Sequence, residues 1–321
     1  QLLVRRPERI EGIALVIADE LEILSDPERG AMAELLLTRL LQSRCRLLGL
    51  SAVIGDADKL AGWMKAGLLY NERRPVELRY GVLHQGRFRY RTYNEQTEGD
   101  EPLLDVGSDS RWEVLRENLA QLVEQGESCL LFVKSKQESR QGAEALAHRL
   151  DRAAANHAIE ALKDLEPTRS RDRLLETLRH GVAFHNADLS PQERSAVEEA
   201  FRTGEIQVIV STSTLAVGLN LPAQNVFLSP EKWCYDSRFG MPWKAPLLRA
   251  EYENMGGRAG RYGANHPFGR AILIATTPFD EETLWRRYVD GDREAIQPRL
   301  AHEPLENHIL QLVASRCCRR E

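Results

Sequence analysis

The sequence lacks any long apolar segment: no run approaches the 18 consecutive apolar residues that suggest a membrane-spanning helix. Its first six residues, QLLVRR, contain no apolar stretch of the length found in secretory signals. We therefore predict that the protein has no membrane partner. The chain also does not begin with methionine, which favours a fragment or a processed chain.

Cysteine is scarce, with five residues in 321 and no C-x-x-C pair among them. This argues against a zinc ribbon and against a thioredoxin-type redox site. Cys45 and Cys129 begin apolar runs, and we predict that both are buried free thiols. This usage favours a reducing, cytoplasmic setting.

An excess of positive charge is also missing, since the formal net charge is -5. This argues against a protein that coats nucleic acid nonspecifically, but a local basic groove remains compatible with it. The length predicts about two domains. Hydrophobic residues make up 42% and charged residues 28%, which is typical of a globular protein.

Apolar runs alternate with helical patterns from the beginning of the chain. We predict strands at Ile13–Ala18 and Arg46–Leu50, and helices at Pro27–Gln42 and Asp56–Ala66. The first of these strands, Ile13–Ala18, is a continuous apolar run, which is typical of a parallel strand buried on both faces. This β-α-β-α order predicts an α/β fold with a parallel sheet.

The pattern changes between Arg74 and Tyr93, where alternating apolar residues around Gln85-Gly86 predict a β-hairpin. The hairpin region is rich in arginine and aromatic residues, a composition that suits single-stranded nucleic acid. A solvated hairpin face is an equally good interpretation. The following stretch, 94–110, has six acidic residues and no basic one. We predict that it is a solvated linker.

A second α/β block follows this linker. It contains five apolar runs that predict strands and three segments with helical patterns. The predicted strands are Cys129–Val133, Gly181–His185, Gln207–Ser211, Val226–Leu228 and Ala271–Ala275, and the predicted helices are Arg111–Gln125, Ser135–Arg152 and Ser190–Arg202. The final segment, Leu305–Ser315, is amphipathic and also predicts a helix.

Four polar segments lie at predicted strand ends or domain edges, where α/β proteins bind ligands. Residues 19–20 (DE) could hold Mg²⁺ and position water, or form an acidic helix cap. Residues 51–55 (SAVIG) follow the next strand and could form an ordinary turn. Residues 256–261 (GGRAGR) place two arginines three positions apart, and the planar guanidinium groups suit triphosphate oxygens. Residues 211–223 follow another strand with four hydroxyl side chains that suit phosphate contacts.

Together these segments resemble superfamily-2 helicases, most closely the branch with exosome-associated RNA helicases and archaeal DNA repair helicases. Residues 19–22 (DELE) are similar to the DExH (Walker B) motif, and residues 51–53 (SAV) to the S-A-T motif. The segment from Thr212 resembles motif V, and residues 254–263 resemble Q-x-x-G-R-x-G-R. Each motif alone is weak, but the four in this order cover nearly the whole chain.

The resemblance implies that the parent protein binds ATP and Mg²⁺ and hydrolyses the nucleotide. Asp19 would hold Mg²⁺, and Glu20 would polarise the attacking water. Arg258 and Arg261 would reach the phosphates, with Arg261 as the better candidate for the finger that stabilises the transition state.

The resemblance also implies contacts with the nucleotide and with DNA or RNA in single-stranded form. Gly218 and Asn220 would lie near the nucleotide. Thr212, Ser135 and His185 would contact the phosphate backbone of the nucleic acid, although a capped or buried histidine is an equally good interpretation of His185.

Three positions depart from the family's motifs. Glu22 stands where this branch usually has histidine, and Asn254 replaces the glutamine that opens the arginine motif. Ser51 and Ala52 match the coupling motif, but Val53 lacks its hydroxyl. These differences bear on the coupling of ATP to strand movement more than on nucleotide binding.

The largest departure is the lack of any G-x-x-x-x-G-K-[ST] phosphate loop or Gly-Lys pair. Only 18 residues precede Asp19, so we predict that the loop lies outside this chain and that the chain alone hydrolyses little ATP.

The predicted fold is therefore α/β with RecA-like (P-loop NTPase) parallel sheets, one partial and one complete. We assign residues 1–72 to the end of a first RecA-like domain, 73–110 to a hairpin and acidic linker, and 111–300 to a second RecA-like domain. Residues 301–321 would begin a winged-helix domain. The predicted function is an ATP-dependent helicase or translocase. The alternatives are an ATP-driven remodeller that separates no strands, towards which Val53 points, and a non-catalytic nucleic-acid-binding module.

Overall fold

The computed structural model describes residues 12–26, 29–212, 221–234, 241–261 and 267–302, together with the single positions 306, 309 and 313. The described residues form two compact units. The first contains those up to residue 71 and those from 293 onwards, and the second contains residues 72–292. Among the described residues, no helix is both long and apolar enough to cross a membrane.

The first unit is a small α/β assembly in which two parallel strands pair in register from Leu15↔Arg46 to Ala18↔Gly49. Buried leucines of its longer helix pack with Leu21, Leu24 and Met64 in one apolar cluster. Its elements are β1 (Leu15–Ala18), a 3-10 turn (Leu21–Ser25), α1 (Gly30–Leu41), β2 (Arg46–Gly49), α2 (Ala57–Met64) and a short 3-10 turn (Leu300–His302).

The two strands of the first unit are covered on one face only. Ile17 is 58% exposed and Leu48 is 47% exposed, while Val16 and Leu47 pack against the apolar cluster. The prediction that the apolar run Ile13–Ala18 is buried on both faces is therefore wrong for β1. The physical reason is that the described part of this unit supplies a two-stranded sheet with packing partners on one side.

The second unit is built on an eight-stranded sheet in the order β5-β4-β3-β12-β9-β6-β8-β7. The strands from β3 to β7 in this order are parallel, and β4 and β5 are antiparallel additions at one edge. The strands of this sheet are β3 (Glu77–His84), β4 (Arg87–Thr92), β5 (Glu98–Pro102), β6 (Cys129–Val133), β7 (Val182–His185), β8 (Val208–Thr212), β9 (Asn225–Leu228) and β12 (Phe268–Ile274). The strands β10 (Glu231–Cys234) and β11 (Trp243–Pro246) form a separate two-stranded sheet.

The described part of this unit contains seven helices, and most begin at a hydroxyl side chain that accepts a hydrogen bond from the first helical turn. The predicted helices correspond to α3, α4 and α7, while α5, α6, α8 and α9 were not predicted. The helices are α3 (Arg111–Glu124), α4 (Lys136–Leu150), α5 (Asn156–Lys163), α6 (Arg169–Leu178), α7 (Pro191–Arg202), α8 (Arg249–Gly256) and α9 (Pro278–Tyr288).

The core of the second unit lies around the central parallel strands. Strands β6, β7 and β8 are buried at every position, which agrees with their continuous apolar sequences. Cys129 is a buried free thiol, as predicted, whereas Cys45 is only partly buried. Because these strands are parallel, their carboxyl ends meet at one edge of the sheet.

The predicted hairpin is confirmed, and both turn residues, Gln85 and Gly86, have positive φ. It is not separate from the second α/β block, because β3 pairs in parallel with β12. The predicted acidic linker is likewise wrong over Glu98–Pro102, which forms β5 against β4. The acidic stretch forms a strand because its carboxylates pair with the arginines of β4 across the sheet.

The arginines of the hairpin are paired within the second unit. Arg87 bonds Asp100, and Arg91 bonds Glu98 at 2.8 Å. Hydrogen bonds from Arg91 and Arg89 hold the pKa of Glu98 below its usual value. The aromatic residues of this region lie in the core or pack against it. The interpretation as a free basic and aromatic nucleic-acid surface is therefore not supported here.

Candidate functional site

The carboxylates predicted to hold Mg²⁺ lie directly after β1, at the carboxyl end of the strand. Asp19 is exposed, and one oxygen of its carboxylate accepts the Glu20 amide at 2.9 Å. Glu20 adopts the left-handed conformation, with φ 55° and ψ 55°, which turns the chain into the following 3-10 turn. Non-glycine residues with such dihedrals occur often at functional sites.

The structure connects this turn to the segment after β2. Because Ala18 pairs with Gly49, both segments leave the sheet at the same end. The Ser51 hydroxyl donates to Glu22 Oε2 at 2.5 Å. Glu22, which differs from the motif that this segment resembles, thus accepts a hydrogen bond from Ser51, the first residue of the predicted coupling motif. Ala52 is exposed, and Val53 is 6% exposed, so its side chain is packed inside.

These carboxylates fit the way in which proteins bind Mg²⁺ beside a nucleotide. Magnesium keeps several waters and commonly binds through one or two carboxylates and substrate phosphates. The described residues contain no group of three or more His, Cys, Asp or Glu that could hold a metal by itself. Asp19 could therefore contribute one ligand, with the remaining coordination left to water and phosphate.

The two predicted arginines lie on a tight loop that follows α8. Gly257 ends the helix, and the Gly260 amide donates to the Ala223 carbonyl at 2.9 Å. Gly260 has φ 62°, and a Cβ atom there would lie 2.6 Å from the Gly269 amide nitrogen. The loop therefore needs glycine for its conformation and for its close approach to β12.

The loop gives the two arginines different environments. Arg258 is 2% exposed, while Arg261 is partly exposed. A phosphate-binding guanidinium must be reachable by the ligand, so this difference favours Arg261 over Arg258 as the phosphate contact. Asn254 lies in α8, one turn before the loop, and is partly buried.

The structure brings the three predicted nucleic-acid contacts to neighbouring strand ends. Thr212 is the last residue of β8 and pairs with Val133 of β6, two residues before Ser135. His185 ends β7 and pairs with Ser211 of β8. Ser135, Thr212 and His185 therefore lie at the carboxyl edge of three adjacent strands, where α/β proteins bind ligands.

Hydrogen bonds hold the side chains of Ser135 and His185 in place. The Ser135 hydroxyl caps α4 by accepting the Glu138 amide at 3.1 Å. The His185 Nε2 lies 3.1 Å from Glu198 Oε1, and its Nδ1 has no hydrogen-bond partner among the described residues. Burial lowers the pKa of His185, although Glu198 opposes this. A neutral ring with its proton on Nε2 satisfies this geometry.

A two-stranded ribbon formed by β10 and β11 was missed in the sequence. Trp233 and Trp243 are 42% and 46% exposed and occupy opposite faces, because Trp233 pairs with Lys244 and Cys234 pairs with Trp243. The available signal in the sequence was the pair of tryptophans at positions 233 and 243. Ion pairs of Lys134 with Glu231 and of Lys232 with Glu251 attach the ribbon to the neighbourhood of Ser135 and to α8.

Two predicted nucleotide contacts, Gly218 and Asn220, lie outside the described residues. The predicted helix over Leu305–Ser315 is described only at positions 306, 309 and 313, each of which is helical.

Comparisons with known proteins point to a helicase. The family described as helicase conserved C-terminal domain matches residues 110–263. The ATP-dependent DNA helicase Hel308 of Pyrobaculum calidifontis is 34% identical over 321 residues, covering 97% of this chain and 43% of that protein. Hel308 of Methanocella arvoryzae is 33% identical over 97% of this chain and 41% of its own length, and Hel308 of Pyrococcus horikoshii is 32% identical over 95% and 40%. The chain thus spans about two fifths of the length of these relatives.

Proposed function

We propose that the chain belongs to the superfamily-2 helicases and is part of a longer ATP-dependent helicase or translocase. Residues 1–72 would form the end of a first RecA-like domain, and residues 111–300 most of a second one. We propose that β3 to β5 (Glu77–His84, Arg87–Thr92 and Glu98–Pro102) extend the sheet of this second domain. Residues 301–321 would begin a winged-helix domain.

The observation that carries this proposal is the arginine loop at residues 257–261. It lies within the region that matches the helicase C-terminal domain, and backbone hydrogen bonds and two close glycines fix it against the sheet. A fixed loop with one partly exposed arginine suits the stabilisation of charge on a transferring phosphoryl group. We propose that Arg261 has this role and that Arg258 supports the loop from its buried position.

The remaining nucleotide contacts follow from the strand ends of the first unit and from the motif V segment. Asp19 would hold Mg²⁺, which neutralises phosphate charge when bound. Glu20 would accept a hydrogen bond from the attacking water. Gly218 and Asn220 would lie beside the nucleotide.

We propose that DNA in single-stranded form is the partner, because the similar proteins are named DNA helicases. Ser135, Thr212 and His185 would contact its phosphates from the carboxyl edge of the sheet. RNA remains the alternative that the experiment below distinguishes. The free thiols Cys45, Cys129 and Cys234 favour a cytoplasmic setting.

The tryptophans of the ribbon formed by β10 and β11 supply one test of the proposed contact with single-stranded DNA. Replacing Trp233 or Trp243 by alanine should weaken single-stranded DNA binding about tenfold, because base–aromatic stacking contributes about 1–3 kcal/mol per base. Trp63→Ala is a matched control, since Trp63 is 38% exposed but lies in α2 of the other unit. Fluorescence anisotropy with a labelled oligonucleotide measures the effect. Unchanged affinity in both ribbon variants would exclude the ribbon from the interface.

The contact between Ser51 and Glu22 supplies a test of coupling. Ser51→Ala removes a hydrogen bond to a carboxylate, which is worth about 1.5–3 kcal/mol at most, and less at this exposed position. We expect strand displacement to fall about tenfold, a loss of about 1.4 kcal/mol, with ATP hydrolysis changed less than about threefold. Ser108→Ala is the control, because Ser108 makes an equally short bond to Glu113 in the second unit. A parallel fall of both activities would contradict a coupling role.

The proposed function is tested by measuring ATP hydrolysis of the whole protein without nucleic acid, with single-stranded DNA and with single-stranded RNA. Displacement of a labelled strand from a forked duplex is measured alongside. DNA stimulation with displacement is the expected result. Stimulation without displacement identifies a remodeller that moves on the strand, and stimulation by RNA alone overturns the choice of DNA. No stimulation by either polymer would leave a binding module.

A further inference from the structure

Arg74 is a partly buried arginine that holds the backbone of the arginine loop from a distant part of the chain. Its Nη2 donates to the Gly257 carbonyl at 3.0 Å and to the Ala259 carbonyl at 2.9 Å. These two carbonyls flank Arg258, and the loop then continues to Arg261. The Arg74 guanidinium thus bonds the loop backbone on both sides of Arg258, although Arg74 and Gly257 are 183 positions apart in the sequence.

The position of Arg74 is itself fixed by the hairpin. Its amide donates to Asn94 Oδ1 at 2.9 Å, and Asn94 Nδ2 donates back to the Arg74 carbonyl at 3.1 Å. Glu77 Oε1 accepts the amides of Tyr93 and Asn94 at 2.7 and 3.0 Å. This network links the entry to β3 and the end of β4, so the backbone that carries the guanidinium has little freedom.

The electrostatic surroundings connect Arg74 with Arg261. Burial lowers the pKa of Arg74, the neighbouring Tyr93 and Glu77 oppose this, and the charge of Arg261 lowers it further. The guanidinium also lies over the Tyr93 ring, 5.6 Å from its centroid. A buried cation placed near a second cation is costly. Its hydrogen bonds to two loop carbonyls compensate for part of that cost.

We propose that Arg74 is a positioning residue that fixes the arginine loop so that Arg261 can meet the nucleotide phosphates. It acts through the loop backbone and does not itself contact the nucleotide. This inference rests on the proposed role of Arg261. It extends the functional site to the hairpin, the region in which the chain enters the second unit.

The test compares Arg74→Met and Arg74→Lys in the whole protein. Loss of both donors should lower kcat for DNA-stimulated ATP hydrolysis about 10- to 100-fold, because small misplacements of a catalytic group are enough for such losses. KM for ATP should change less than about threefold, since Arg74 makes no nucleotide contact. Arg74→Lys keeps the charge but offers a compact ammonium in place of the fork, so we expect an intermediate loss.

Two further measurements separate positioning from general destabilisation. Hydrogen exchange of the Ala259 and Gly260 amides should accelerate at least about tenfold in both variants, while the amides of Ile272 and Ile274 in β12 stay protected. In an Arg261→Ala background, Arg74→Met should cause no further loss of kcat, because both changes remove the same contribution. Arg91→Met is the control, since Arg91 lies on β4 and donates to the Val289 carbonyl away from the loop.

Each outcome decides the proposal. Unchanged exchange in the loop, or an Arg74→Met effect that persists undiminished without Arg261, overturns it. If Arg74→Met does not fold, Arg74→Lys decides by the same two measurements. If Arg261→Ala itself keeps the full rate, the proposed function of Arg261 fails, and hydrogen exchange alone judges whether Arg74 fixes the loop.

Discussion

Replacement of Arg261 by alanine in the whole protein is expected to lower DNA-stimulated ATP hydrolysis about a thousandfold. An arginine that stabilises the transferring phosphoryl group contributes about 10³–10⁵ in kcat. Arg261 is the partly exposed arginine of a loop that is otherwise fixed by backbone hydrogen bonds and glycine contacts. Its removal deletes charge at the transition state and leaves the loop backbone intact. Steady-state and single-turnover ATP hydrolysis measure the loss.

Two companion variants make this result specific. Arg261→Lys keeps the positive charge but loses the planar fork, and it should recover only a small part of the rate. Arg286→Ala is the control, because Arg286 is exposed on α9 and pairs with Glu282 one turn away. DNA binding should remain within about twofold of the parent in all three proteins. A full rate in Arg261→Ala would remove Arg261 from the catalytic site.

Replacement of Arg270 by methionine is expected to destabilise the second unit by about 3–5 kcal/mol, the usual cost of breaking a buried ion pair from one side. Arg270 is 5% exposed and bonds Glu101, Glu127 and Asn225. Its loss removes the cation that two partly buried carboxylates share and leaves Glu101 with Arg79 and Glu127 with Asn225. The melting temperature of this unit should fall by about 6 to 20 °C. Arg87→Met is the matched control, because its pair with Asp100 is exposed and worth about 1 kcal/mol or less.

The cost of Arg270→Met should depend on pH in a defined direction. Burial raises the pKa of Glu101, but Arg270 and Arg79 outweigh it and hold the pKa below 4.5. A carboxylate with a depressed pKa stabilises the fold above its unfolded pKa and loses this contribution as pH falls through its folded pKa. The difference in the free energy of unfolding between the parent and Arg270→Met should therefore be largest at neutral pH and become smaller below about pH 4.

Denaturant unfolding at several pH values measures this difference, and Glu101→Gln tests its origin. Adding Glu101→Gln to Arg270→Met removes one of the two carboxylates that lost the Arg270 cation, so the double variant should recover part of the lost stability. A destabilisation by Arg270→Met that is independent of pH, with no recovery in the double variant, would show that packing and not charge accounts for the effect.

The sequence alone determined the α/β pattern, the hairpin and the residue types of the proposed site. Strands β6, β7 and β8 (Cys129–Val133, Val182–His185 and Val208–Thr212) were readable because each is a continuous apolar run buried on both faces. The hairpin was readable because its turn residues, Gln85 and Gly86, break an alternating pattern. The arginine loop was readable because its glycines and arginines lie within six residues of one another. All of these signals lie within short segments of the chain, so they can be recognised in the sequence without the fold.

The tertiary structure decided which distant residues meet. The acidic stretch and the arginine-rich hairpin each suggested a solvated surface, but strand pairing places Asp100 beside Arg87 and so neutralises both. The hydrogen bond from Arg74 to the Gly257 carbonyl joins residues 183 positions apart, and no periodicity or spacing in the sequence predicts it. The exposure that distinguishes Arg261 from Arg258, three residues apart, depends on how the loop packs against β12 (Phe268–Ile274). Such contacts depend on sheet order and side-chain burial, which the three-dimensional fold alone establishes.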